Sequence, residues 1–120
     1  ADIVLLHAGT NDLDASPADI ERILDEIDRH NFNTVVVLAK IINRVPYSDV
    51  TAQFNANIEQ MALNRIAIGD NIIIVDQENA LIYPDDIYDD KHPNQTGYEK
   101  MADTWFDAIT SFMAPQTCNL

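Results

Sequence analysis

The chain has 120 residues, enough for one domain that buries roughly two thirds of its unfolded surface. Twenty acidic against seven basic side chains give a formal charge of −13, which argues against an electrostatic grip on nucleic acid or on an anionic membrane. No apolar run reaches the roughly 18 residues of a membrane-spanning helix, and no basic-then-apolar segment opens the chain, so a secretion signal, if the protein is exported, lies elsewhere.

Ile3-Val4-Leu5-Leu6 is a short continuous apolar run that reads as a buried strand. It delivers the polar turn His7-Ala8-Gly9-Thr10-Asn11-Asp12 at its carboxyl end, which is where open α/β sheets bind ligands. Ser16-Pro17-Ala18-Asp19 supplies an N-cap, a proline at the first helical position and an acid in the first turn. Ile20, Ile23, Leu24 and Ile27 then form one apolar stripe while Glu21, Asp25, Glu26 and Asp28 point away, predicting an amphipathic helix to about Arg29 that covers the sheet. After Asn31-Phe32-Asn33, the β-branched run Thr34–Ala39 predicts a second buried strand.

Lys40 to Pro46 is then a loop on the same rim as Asn11, where Arg44 and Tyr47 either reach a ligand or are simply exposed. Ser48 opens a second helix whose stripe runs through Val50, Phe54, Ile58, Met61, Ala62 and Arg65-Ile66 to a stop at Gly69-Asp70-Asn71. Ile72–Val75 is a third buried strand, and Asp76 and Glu78 at its end are either metal or substrate groups or caps of the turn. Residues 80–88 are irregular and lead to Asp89-Asp90-Lys91-His92-Pro93-Asn94.

In that hexapeptide Asp89 can curl back onto one ring nitrogen of His92, fixing the tautomer and freeing the other nitrogen as a general base. Asn94 is a good N-cap for a last helix from about Gln95 to Phe112, which would place the imidazole at the end of a rigid element. The same residues also read as a polar loop that opens a helix. Asn94-Gln95-Thr96 fits a glycosylation acceptor, but a glycan there would crowd His92. Tyr98, Met101, Ala102, Trp105, Phe106 and Ile109 lie at helical spacing and are assigned to packing; Pro115 closes the helix. Cys118 is the sole cysteine and forms no internal bridge. Three strands alternating with three helices, with no hairpin signal, predict a flavodoxin-like three-layer α/β/α sandwich with a parallel sheet.

Gly9-Thr10-Asn11-Asp12 and, far downstream, Asp89-x-x-His92-Pro93 resemble the third and fifth sequence blocks of the SGNH (GDSL-type) hydrolases. Ala39-Lys40-Ile41-Ile42-Asn43-Arg44 and Gly97-Tyr98-Glu99-Lys100-Met101-Ala102 are most similar to the acetyl-xylan-esterase branch, a carbohydrate esterase group. The resemblance implies an esterase that removes short acyl groups from a carbohydrate, with no cofactor. Asp89 and His92 would be catalytic, Asn11 would sit in the oxyanion hole, and Gly9 and Asp12 would support the turn. Where the family has glycine between the fifth-block Asp and His, this chain has Asp90.

The family's nucleophilic serine in a Gly-Asp-Ser context and its second-block glycine are not in this sequence; Ser16, Ser48 and Ser111 lack that setting. Residues 1–120 therefore match the carboxyl-terminal part of a single SGNH hydrolase domain, beginning at the family's third strand. The implied partners are an amino-terminal fragment carrying Gly-Asp-Ser and an acylated carbohydrate, and the implied location, from the resemblance alone, is extracellular. In the strand order 2-1-3-4-5, Ile3–Leu6 would need a further neighbour on its outer side. The other class of reading is a non-catalytic interaction domain in which Asp89-His92 is a leftover hydrogen-bonded pair.

Overall fold

The computed structural model describes residues 2–11 and 14–113; Asp12, Pro115 and Cys118 fall outside them. Its elements in chain order are β1 (Ile3–Leu6), α1 (Ala18–His30), β2 (Val35–Lys40), α2 (Asp49–Ala67), β3 (Ile72–Asp76) and α3 (Gln95–Met113). The strands form one parallel sheet in the order β1-β2-β3, with Ile3 opposite Val35 and Val36 opposite Ile72.

Because successive strand side chains face opposite ways, β2 supplies both cores. Val36 and Leu38 pack with Ile20 and Leu24 of α1 and with Phe54, Ile58, Met61 and Ala62 of α2. Val37 and Ala39 face the other side with Val75, where Trp105 and Ala108 of α3 rest. The predicted three layers are thus α1 and α2, the sheet, and α3.

Several local expectations shift. The α1 helix starts at Ala18, with the Pro17 carbonyl accepting from the Glu21 amide at 3.0 Å, and the Ser16 hydroxyl accepts from the Ala18 amide at 3.2 Å as a turn bond. Ile23 of the expected stripe is exposed, as are Val50 and Ile66 in α2. Ser48 does cap α2, accepting from the Thr51 amide at 3.2 Å. The far end of α2 closes with the Asp70 and Gly69 amides on the Arg65 and Ile66 carbonyls, each at 3.0 Å. Arg65, read from sequence as part of an apolar stripe, instead reaches four carboxylates: Asp70 at 2.7 Å, Asp25 at 2.8 Å, Asp28 at 3.2 Å and Glu21 at 3.8 Å. Its long stem lies in the stripe while the guanidinium fastens α2 to α1.

In α3 only part of the predicted stripe packs. Tyr98 and Phe106 are 53% and 64% exposed, and Leu5, whose strand face carries the α3 layer, is 44% exposed. Among the described residues β1 pairs with β2 alone, so its outer edge has no strand neighbour among them.

Candidate active site

The carboxyl ends of all three strands open onto one rim. After β1 the backbone turns at Gly9 with φ of +126°, and a Cβ there would meet the Phe54 ring at 2.6 Å, so the turn needs glycine on both counts. The next residue, Thr10, is held by its carbonyl, which accepts from the Arg44 guanidinium. This leaves Asn11 exposed at the rim.

The segment after β2 is a loop, as expected, and within it Ile41, Ile42 and Asn43 are buried. Asn55 of α2 behaves like a missing strand neighbour, accepting from the Ile41 amide at 2.7 Å and donating to the Ile41 carbonyl at 2.8 Å. The buried Asn43 amide donates to the Ser48 carbonyl and to Glu78, and accepts from the Arg44 and Ser48 amides. Tyr83 adds a bridge, accepting from the Asn43 backbone N–H at 2.9 Å and donating to the Glu78 carbonyl at 2.8 Å; burial pushes its phenol up to about 12. Glu78 and Asp76 are thereby used inside the fold, Asp76 holding Asn79 through both oxygens. Tyr47 stays exposed.

The third segment is stiffened from both sides. An isolated antiparallel bridge joins Ile87 to Pro93, the Tyr88 amide donates to the His92 carbonyl at 2.7 Å, and the Asn94 amide donates to the Asp86 carbonyl at 2.9 Å. Asn94 caps α3 by accepting from the Gly97 amide at 2.9 Å, as its position predicts. Gly97 permits a close approach, since a Cβ there would stand 2.4 Å from the Asp86 carbonyl oxygen. Below this turn Asp86 is buried and accepts from the Ile82 amide at 2.7 Å and Lys100 at 2.6 Å; the lysine contact holds its carboxyl below the usual range.

Within that frame Asp89 Oδ2 lies 2.7 Å from His92 Nδ1, while Oδ1 accepts from the Lys91 and His92 amides at 2.8 and 2.7 Å. The Lys91 amide and then the imidazole pull the Asp89 carboxyl down to about 2. A carboxylate accepting at Nδ1 places the proton there and leaves Nε2 with its lone pair. The His92 ring is 58% exposed, open to a reactant.

His7, Thr10, Asn11, Ile42, Lys91, His92, Pro93, Tyr98 and Met101 line one groove of about 270 Å³. Asn11 and His92, from opposite ends of the sequence, therefore share a cavity. His7 received no role from sequence, although an imidazole directly after a buried strand was a signal. Its Nε2 accepts from the Ile42 amide at 3.1 Å, so it is neutral, and burial lowers its tendency to take a proton. The ring ties the β1 turn to the β2 loop. Among the described residues no group of three or more His, Cys, Asp or Glu is placed to hold a metal ion. Such an arrangement can remove a proton at His92 Nε2 and present an amide donor at Asn11 to an oxygen held nearby.

No family model matches the chain. A multidomain esterase of Ruminococcus flavefaciens is 28% identical over 122 residues, taking in 93% of this chain and 16% of that protein. The crystal structure of an acetyl esterase mutant with an acetate ion is similar at a TM-score of 0.86 and 21% identity, over 93% of this chain and 58% of its own. A carbohydrate esterase of family 3 from Talaromyces cellulolyticus matches over the same shares at 0.85 and 21%. A family 3 carbohydrate esterase from Clostridium thermocellum matches at 0.77 and 22%, over 93% and 57%. The chain thus spans a little over half the length of these solved structures and a small part of the curated relative. The resemblance drawn from the two sequence blocks is borne out in the fold, which this chain shares with an acetyl esterase and two family 3 carbohydrate esterases.

Proposed function

We propose that this chain is the carboxyl-terminal part of a secreted carbohydrate esterase that removes short acyl groups, with its nucleophilic serine supplied by an amino-terminal segment. The observation that carries the reading is the shared groove, in which Asn11 and an imidazole already oriented by Asp89 face one cavity beside an open parallel edge. The fold of the acetyl and carbohydrate esterases above supports it.

On this reading His92 Nε2 takes the serine proton as the hydroxyl attacks the ester carbonyl, and Asp89 stabilises the imidazolium through Nδ1–H. The Asn11 side-chain amide, with backbone amides, donates to the oxygen that becomes negative in the tetrahedral intermediate. The imidazolium gives the proton to the sugar oxygen as its bond to the acyl carbon breaks, and water, deprotonated by the same nitrogen, then attacks the acyl-serine, releasing the acid and the serine hydroxyl. The supplementary strand pairs with the free side of β1, and its helix covers Leu5, Tyr98 and Phe106.

The test is turnover of a short-chain chromogenic ester. The 120-residue chain alone is expected to give none above background, an added amino-terminal segment bearing Gly-Asp-Ser to restore it, and His92→Ala to abolish the restored activity. Equal turnover by the lone chain and its His92→Ala variant would remove His92 from the chemistry.

A further inference from the structure

Seven basic side chains face twenty acidic ones in this protein, so each cation has carboxylates to choose from. Among the described residues, Arg22, Arg29, Lys40, Arg65 and Lys100 each lie within ion-pair distance of one. The two that do not, Arg44 and Lys91, flank a single backbone hydrogen bond, the Val45 amide donating to the Asp90 carbonyl at 2.8 Å. Both are half-buried. Lys91 lines the groove, and Arg44 donates to the carbonyl of Thr10, which lines it too.

We infer that these two cations form a subsite for a carboxylate on the carbohydrate, so that the groove takes an acidic, uronate-bearing saccharide in preference to a neutral one. The inference rests on the proposed esterase reading and narrows its substrate. A half-buried cation loses hydration, and here no side chain among those described returns the lost interaction. One guanidinium donor engages Thr10, which leaves further donors of the planar fork for a carboxylate. Among the described residues, the acids next to Lys91 in sequence are Asp89, whose oxygens hold two amides and the His92 ring, and the exposed Asp90; both weaken the local positive field. If Arg44 served only to pin the Thr10 turn, ligand charge would make no difference.

The test is an NMR titration of the full chain with a xylo-oligosaccharide bearing one glucuronic acid, against the neutral oligosaccharide of equal length. We expect about fivefold tighter binding of the acidic sugar at low ionic strength, shrinking to less than about twofold in 0.5 M sodium chloride as screening shortens to a few ångströms. The preference should vanish in Arg44→Gln and in Lys91→Gln, the latter breaking no side-chain hydrogen bond or ion pair among the described residues. Equal affinities, or a preference that survives Lys91→Gln, overturn the subsite. Because binding is read directly, these outcomes are separate from the turnover that decides the esterase reading.

Discussion

Asp89 and His92 are joined twice: one carboxylate oxygen meets ring Nδ1 and the other accepts from the amide of the same histidine, each at 2.7 Å. A single residue thus fixes both the ring and the backbone that carries it. The arrangement requires the carboxylate to be charged, and its partners hold it near 2.

The pH consequence follows from the sign of that shift. The folded value lies below the roughly 3.9 of a free aspartate, so Asp89 contributes to stability above about pH 4 and loses that contribution as pH falls from 4 toward 2. NMR titration of the Asp89 carboxyl carbon should give a midpoint near 2. A midpoint at the free value would mean that the double bond to His92 does not persist in solution.

Asn11→Ala should act on the transition state. In the reconstituted enzyme, loss of one oxyanion donor is expected to lower kcat by about 10²–10³-fold with little change in KM. A change confined to KM would make Asn11 a ground-state contact.

Gly97→Ala tests the seat of α3. Alanine inside a helix usually gains up to about 1 kcal/mol over glycine, but here its methyl would meet the Asp86 carbonyl at 2.4 Å. We expect a loss of about 1–3 kcal/mol by urea denaturation, together with shifted His92 ring resonances, because Pro93 and Asn94 link the two. A stabilised variant with unmoved resonances would contradict the close approach.

Arg65→Ala should cost about 1–3 kcal/mol, since it leaves the shielded Asp70 and Asp28 without their partner, and Arg65→Lys should recover only part because it lacks the fork. Thermal unfolding of the three proteins decides this; a change within about 0.5 kcal/mol for alanine would show the ion pairs to be surface ornament.

The strands, the helices and the parallel sheet were legible because apolar runs and helical stripes report burial directly, and Asp89, His92 and Asn94 were legible because their bonds are local in sequence. Arg65 was misread because a long side chain can lie in a stripe and end in charge. The burial inside the loop after β2 was not legible because Asn55 and Tyr83 satisfy its polar groups from afar, and nothing in residues 40–46 alone announces it. His7 was passed over for the same reason: its partner, the Ile42 amide, is set by sheet register. The exposure of Tyr98 and Phe106 contradicted a packing assignment made from spacing alone, which identifies a face without saying what covers it.

The groove draws on segments that follow β1 and β2 and precede α3, and this sets the order in which it can come into being. No local structure brings Asn11 to His92; their encounter waits until three parallel strands have paired across long loops, the slowest class of contact to close. The Asp89–His92 turn, by contrast, can form on its own. Hydrogen exchange should therefore find the Tyr88, Lys91 and His92 amides protected in openings that already expose the turn after β1, so that the imidazole is oriented well before the cavity around it exists.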